Sequence, residues 1–306
     1  MMKQIKIGLF IGLLASFQLT MAQQEPHYTQ NIDNMLNYNP AYAGSRGMFS
    51  ANTVHRSQWL GIEGTPRTTA VSAHTPVKGE SIGIGIELLD DRIGPLNTNE
   101  INVDIAYSFR IGPNNGRLAL GVNAGLQLIN GDLSALKRQE YYDPTIDNVY
   151  SRSLLPMVGS GIYYHSDKWY IGASVPNLLQ SEKSDEVFRY DNQRHYYLMT
   201  GGYFQLNRMI KVRPGVMFKY TTNAPLTVDL NTALIFYDKF YVGANYRFSE
   251  SVGVFTQFQI NQQFKIGYAF DFSLTDLRPQ SLGSHELMLT FDLLDIKSNL
   301  YSPKFF

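Results

Sequence analysis

The chain has no cysteine, only 2 tryptophans in 306 residues, and no excess of either charge: 26 basic side chains stand against 26 acidic ones. Without cysteine there is no disulfide framework, no thiolate metal site and no cysteine nucleophile. Without a basic excess there is no electrostatic footprint for nucleic acid and no polybasic patch for an anionic membrane surface. Charged residues make up 17% of the chain, against roughly 25% in soluble domains. Beyond residue 22 no apolar run reaches the roughly 18 residues of a membrane-spanning helix. What abounds is aromatic or small: 20 Tyr, 18 Phe and 25 Gly. The length allows one large domain or two average ones.

The first 22 residues form a unit of their own. Lys3 and Lys6 give a charged start, Ile7 to Leu19 an apolar stretch, and Thr20-Met21-Ala22 a small-x-small cleavage site. About twelve apolar residues are too few to cross a ~30 Å hydrocarbon core, so the layout is that of a secretory signal peptide. The mature chain is expected to begin at Gln23 and to work outside the cytoplasm.

From residue 47 onward the pattern has period two. Ile101, Val103, Ile105, Tyr107 and Phe109 alternate with Asn102, Asp104, Ala106, Ser108 and Arg110. Phe264, Ile266, Tyr268, Phe270 and Phe272 alternate with Lys265, Gly267, Ala269 and Asp271. Successive side chains of a strand point to opposite faces, so each segment reads as a strand with one apolar and one polar face. About fourteen such strands recur, over residues 47–56, 67–77, 80–90, 98–111, 116–130, 154–166, 168–176, 194–206, 210–221, 224–237, 239–248, 251–261, 263–274 and 283–295. Most run about ten residues or more. Soluble strands average nearer five or six, whereas tilted strands that cross a bilayer need about 9–11.

The connections alternate in length. Short ones fall at 76–79, 112–115, 165–168, 207–208, 238 and 262; longer ones fall at 57–66, 91–97, 131–153, 177–193 and 275–282. Short exceptions on the long side are 222–223 and 249–250. Outer-membrane barrels pair short periplasmic turns with longer external loops, and an even strand count places both termini in the periplasm. In lipid every backbone polar group needs an internal partner, which closes the sheet. The expected fold is all-β: a transmembrane, up-and-down antiparallel outer-membrane β-barrel of about 14 strands. It would span residues 47–306, after a signal peptide (1–22) and an N-terminal periplasmic or plug segment (23–46). A secreted β-sandwich would not favour strands this long, and a repeat array would show a fixed period that is absent.

Closure sends the apolar faces to lipid. It sends Asp104, Arg110, Lys211, Arg213, Lys219, Asp229, Arg247, Lys265, Asp271 and Asp292 to the lumen. Mixed signs in near balance favour an interior filled by internal pairing over a conducting pore. Small inward residues such as Gly121 and Gly125 make room for what fills it. Replacing lipid-facing Leu126 with Arg should cost about 2–4 kcal/mol near the midplane, and replacing lumen-facing Asn123 much less.

Chemistry is sparse. The His residues, at 27, 55, 74, 165, 195 and 285, do not pair at metal-ligand spacing. His285-Glu286 begins like a zincin helix, but position 289 is Leu and the segment is a strand. Gly159-Ser160-Gly161 lacks the frame of a nucleophile elbow, and Gly83 and Gly85 lack that of a dinucleotide fingerprint. No cofactor is expected. A Ser-His-acid site assembled across strands stays open as a hydrolase alternative, with nothing to select its members.

Three segments carry a resemblance. The first is Asn37-Tyr38-Asn39-Pro40-Ala41-Tyr42-Ala43-Gly44, after Tyr28-Thr29-Gln30. The second is Arg56-Ser57-Gln58-Trp59-Leu60-Gly61-Ile62-Glu63-Gly64-Thr65-Pro66-Arg67-Thr68, and the third Asp90-Asp91-Arg92-Ile93-Gly94-Pro95. Together they resemble the PorP/SprF family, outer-membrane proteins of the type IX secretion system of Bacteroidota. The resemblance runs from about residue 27 to the end, including Ser302-Pro303-Lys304-Phe305-Phe306.

It implies a non-enzymatic role in protein secretion or gliding motility. Such a barrel docks or anchors a type IX secreted surface protein, or its C-terminal domain, and contacts periplasmic and lipoprotein components of the system. Candidate partner-binding residues are Asn39, Pro40, Tyr42, Arg56, Gln58, Trp59, Arg67 and Asp91. Trp59 either anchors at headgroup level or packs within its loop, and Arg56 and Arg67 flank it. Tyr141, Tyr142, Tyr150, Phe188 and Tyr190 make the two long loops a plausible docking surface. The main alternative is an outer-membrane porin or hydrophobic-substrate transport channel.

Overall fold

The computed structural model describes residues 26–77, 81–112, 115–132, 150–179, 182–184, 189–191, 193–222 and 224–293. The signal segment, Tyr141, Tyr142, Phe188 and the terminal Phe305-Phe306 lie outside them.

Among the described residues, fourteen strands form the wall. They are β1 (Phe49–Ser57), β2 (Arg67–Val77), β3 (Ile82–Ile93), β4 (Leu96–Arg110), β5 (Arg117–Asp132), β6 (Tyr150–His165) and β7 (Trp169–Val175). Then come β8 (His195–Gly202), β9 (Ile210–Thr221), β10 (Thr227–Phe236), β11 (Phe240–Arg247), β12 (Ser251–Gln259), β13 (Phe264–Ser273) and β14 (Ser284–Leu293). Each strand pairs antiparallel with its neighbours in sequence. β1 closes the sheet on β14, from Phe49 opposite Leu293 to Ser57 opposite His285. Two minor pairings accompany the wall: Phe204–Gln205 against β9, and the hairpin Glu182–Ser184 with Arg189–Asp191.

The alternation read from the sequence is the alternation of the wall. Along β4, Ile101, Val103, Ile105 and Tyr107 are exposed, while Asn102, Asp104 and Ala106 are buried. This is the inverse of a soluble protein, and it is stable because the outward apolar band meets lipid. Outward aromatics, exposed or half-buried, pair near the strand ends, as in Phe240–Phe258, Phe264–Phe291 and Tyr246–Phe248, each with ring centroids 4.9 Å apart. Aromatic girdles of this kind mark both interfaces of a barrel. Leu126 is 46% exposed on the outer face and Asn123 4% exposed on the inner one. Folding titrations of Leu126→Arg and Asn123→Ala therefore test the facing: equal losses would refute it.

Two readings need correction. Residues 91–97 are not a loop. β3 continues to Ile93 and β4 begins at Leu96, joined by Gly94-Pro95 with Gly94 at φ +56°. The polar run Asp90-Asp91-Arg92 looked like a loop because a strand end near the rim need not keep an apolar face. Arg110 does not face the lumen either: it ends β4 and is exposed at the rim.

β6 outruns β7, and their pairing stops at Ser160 opposite Val175. Pro156, which lacks an N–H, lies on the stretch of β6 beyond that point. Past Val175 the chain turns inward, and the Pro176 carbonyl accepts from Asn123 Nδ2 at 3.2 Å.

Candidate functional site

The lumen is filled by the segment that precedes β1. Arg46, at one end of that segment, pairs with Asp292 Oδ2 at 2.8 Å near the short-turn end of β14. Pro26 and His27, at the other end, lie beside Lys219 and Thr227 near the long-loop ends of β9 and β10. So although the barrel itself begins and ends at the short-turn end, residue 26 does not lie there. The chain threads the lumen from the long-loop end to the short-turn end before entering the wall.

Local sequence explains its shape. Asn31–Asp33 and Pro40–Tyr42 are single 3-10 turns. Asn39 caps the second, its Oδ1 accepting from the Ala41 N–H at 3.0 Å, and Pro40 supplies the preset φ at the first position. The Asn39 amide also donates to the Ile162 carbonyl at 3.0 Å.

This turn sits on a row of small residues in register across five strands. Gly83 faces Ala106, Ala106 faces Gly121, Gly121 faces Gly161, and Gly161 faces Ser174. A Cβ on Gly121 would lie 2.2 Å from the Ala41 nitrogen, and one on Gly83 2.0 Å from the Ala43 oxygen. Gly44, at φ +75°, meets Gly83 the same way, with a Cβ 2.7 Å from its Cα. Ser174 Oγ donates to the Tyr38 carbonyl at 2.6 Å. Backbone lies on backbone here, so the row is a ledge for Asn39–Gly44.

Two buried ionic clusters hold the rest. Toward the long-loop end, Arg56 pairs with Asp271 and with Glu286. Glu286 accepts from the backbone N–H groups of Thr29 and Gln30 at 2.8 and 2.9 Å, and Thr29 Oγ1 donates to Asp271 at 2.6 Å. Deeper in, Asp33 accepts two bonds from Arg213, at 3.0 and 2.8 Å, one from Lys265 at 2.6 Å and one from Gln257 at 2.7 Å. Burial works to raise the Asp33 pKa, but the Arg213 and Lys265 cations outweigh it and hold the carboxyl well below its ordinary range. Burial, then Lys219, pushes the His27 imidazole well below its ordinary pKa. A neutral ring then accepts from the Lys219 ammonium at 2.9 Å. Arg247 and Asp229 form a bidentate pair on the wall itself.

The sequence-selected residues divide by position. Asn39, Pro40 and Tyr42 are buried in the lumen segment. Tyr42 packs edge-on against Tyr163 with centroids 5.4 Å apart. Arg56 is 2% exposed and faces inward, so it pairs with acids of the lumen and not beside Trp59 in the loop. Asp91 is buried on β3 and accepts from Thr68 Oγ1 at 2.6 Å. Only Gln58, Trp59 and Arg67 lie at the long-loop mouth. Trp59 adopts φ +46°, and its N–H donates to Ser284 Oγ at 3.2 Å. The exchange of Leu60 N–H to Gly283 O and Leu282 N–H to Leu60 O ties this loop to residues 282–284.

Sequence reasoning missed Asp33, Gln257 and Glu286 as a set, because they converge from three distant points of the chain. The available signal was small residues at inward positions of adjacent strands. Among the described residues, no group of three or more His, Asp or Glu side chains has metal-holding geometry.

The pattern of the type IX secretion system membrane proteins PorP/SprF matches residues 20–291. The chain belongs to this family. The PorP/SprF match embraces the lumen segment as well as the wall. No curated protein matches the chain. Among solved structures it is similar to a Pseudomonas aeruginosa FadL homologue, with TM-score 0.46 and 11% identity over 84% of this chain and 93% of that one. It is also similar to a deletion mutant of TodX, a monoaromatic hydrocarbon channel, with TM-score 0.45 and 11% identity over 83% and 92%. The KdgM porin in complex with oligogalacturonate gives TM-score 0.40 and 7% identity over 80% and 99%. At such values these likenesses carry no argument about this PorP/SprF chain.

Proposed function

We propose that the protein is a non-enzymatic outer-membrane component of type IX secretion. In this reading it docks or anchors a secreted surface protein, such as a gliding adhesin, or that protein's C-terminal domain. It also contacts periplasmic and lipoprotein components of the system. The chain is divided into a signal peptide (1–22), a plug (23–46) and a barrel (47–306), with the long loops outward. Neither a cofactor nor nucleic acid enters this reading.

The observation that carries the proposal is the occupied lumen. A barrel filled by its own chain, held by buried ion pairs, is built to work through its ends. Family membership supplies the context. Partner contact falls to groups at the mouth: Gln58, Trp59 and Arg67. Asn39, Pro40, Tyr42, Arg56 and Asp91 act indirectly, by keeping the plug and rim in place.

The test is a mild-detergent pull-down of the tagged protein from its native membrane, followed by mass spectrometry. Co-recovery of a large secreted protein or of secretion-system lipoproteins is expected. Trp59→Ala combined with Arg67→Glu should lower recovery of an outer partner by about tenfold or more, with the barrel still folded. Recovery of the barrel alone would favour the porin or hydrophobic-substrate channel, and planar-bilayer conductance would then decide.

A further inference from the structure

The outward face of the wall carries a row of hydrogen-bond donors short of acceptors. Arg92 of β3 stands opposite Arg67 of β2, Arg67 opposite Ser57 of β1, and Ser57 opposite His285 of β14. One step along the strands, Asp90 stands opposite Thr69, and Thr69 opposite His55. All these side chains are exposed or half-buried. The row lies at the long-loop end. There the outward side chains of β2 pass from Val71 to Thr69 and Arg67, and those of β3 from Leu88 to Asp90 and Arg92. That change from apolar to polar marks the level of the lipid headgroups.

Arg67 and Arg92 are like charges directly opposite across the ladder, an arrangement that is destabilising unless an anion answers it. Asp90 answers Arg92, at 3.2 Å from Nε, and among the described residues Arg67 makes no ion pair. The neighbouring groups hold one another in place. Tyr268 of β13 donates to His285 Nδ1 at 2.6 Å, so in its neutral form the ring carries its proton on Nε2. Thr69 Oγ1 donates to His55 Nδ1 at 2.9 Å, and His55 Nε2 faces Ser57 Oγ at 3.4 Å, which leaves the Ser57 hydroxyl proton to a further acceptor. Guanidinium, hydroxyl and imidazole N–H thus stand side by side on three adjacent strands. Val71, Leu88 and Leu287 are exposed next to them, toward the midplane.

We propose that this outer flank binds the phosphate headgroup of a lipid in the outer leaflet. Arginine presents a planar fork that matches phosphate, and the hydroxyl and imidazole N–H add donors beside it. A zwitterionic headgroup would bring its own cation to the two arginines. The apolar neighbours receive the acyl chains, so the ligand is an amphiphile and not free phosphate. The leaflet follows from the outward course of the long loops proposed above. A lipid on the flank leaves the mouth itself free, and the inference does not depend on which protein docks there.

The test is native mass spectrometry of the delipidated full-length protein in detergent, with dioleoyl phosphatidic acid, dioleoyl phosphatidylcholine or inorganic phosphate added. No partner protein is present, so the outcome is separate from that of the pull-down. Retention of phosphatidic acid about tenfold or more tighter than that of phosphatidylcholine is expected. Arg67→Gln with Arg92→Gln should weaken it about tenfold or more. Arg110→Gln, which removes the same kind of charge at the short-turn rim, should leave it unchanged. Heat-modifiable mobility on a gel verifies that each variant is folded. If the double variant does not fold, Arg67→Gln alone carries the test, with a loss of about threefold or more. Equal retention of the two lipids overturns the proposal. So does unaltered retention in the folded arginine variants, an equal loss in Arg110→Gln, or displacement of the lipid by an equal concentration of inorganic phosphate.

Discussion

Gly121→Val is expected to dislodge the lumen segment and turn a silent barrel into a conducting one. The reason is local and steric. Even the first carbon of a side chain at 121 would lie 2.2 Å from the Ala41 nitrogen and 2.4 Å from its Cα. Both are backbone atoms, so no rotamer change relieves the clash. The wall cannot yield, because β5 is hydrogen-bonded along its length to β4 and β6. Overpacking of this kind costs typically about 1–3 kcal/mol, and here the cost falls on the seating of Asn39–Gly44. Gly83→Val should act alike, through the 2.0 Å approach to the Ala43 oxygen. Planar-bilayer recordings of the wild type and both variants are the measurement. Flat traces from folded variants would mean that the segment reseats, and the ledge would not be what holds it.

Asp33→Ala is expected to cost about 3–5 kcal/mol, because it removes the one carboxylate that two buried cations share. Asp33 is met by Arg213, Lys265 and Gln257 from three strands. The side chains of Asp33 and Arg213 are 3% and 2% exposed, so water does not replace the lost carboxylate. Denaturant titration in detergent reads the loss directly. A change near zero, as for exposed pairs, would show that the lumen segment contributes little to stability. The pH dependence follows from the direction of the shift. A carboxyl whose folded pKa is depressed contributes stability that is present above its unfolded value, about 3.9, and is lost as pH falls through the folded value. For Asp33 that loss lies below pH 4. Acidification from pH 7 to 5 should leave the stability difference between wild type and Asp33→Ala unchanged, and a shrinking difference within that range would contradict the Asp33 lock.

How much of this was legible depended on range. Strand alternation is a local property, and it placed Lys265, Asp271, Arg213 and Arg247 on the inner face before any contact was known. The 91–97 segment misled because polar residues near a rim satisfy a strand as readily as a loop. Arg56 misled differently. Its place beside Trp59 suggested a loop partner, yet period two along β1 turns it inward with Val54 and Asn52. The motif Asn39-Pro40-Ala41-Tyr42-Ala43-Gly44 announced a special backbone, but not where that backbone rests.

What the sequence determined by itself is the barrel. Period two, strand length, the order of short and long connections and the absence of apolar helices leave closure as the way to satisfy a backbone in lipid. The tertiary structure alone decided what fills it. The path of residues 26–46, the ledge from Gly83 to Ser174 and the meeting of Asp33 with Arg213 and Lys265 join points up to 232 residues apart. Such contacts leave no periodic trace in a chain. They arise from the complementarity of a lumen and a segment, which exists only once the wall has closed.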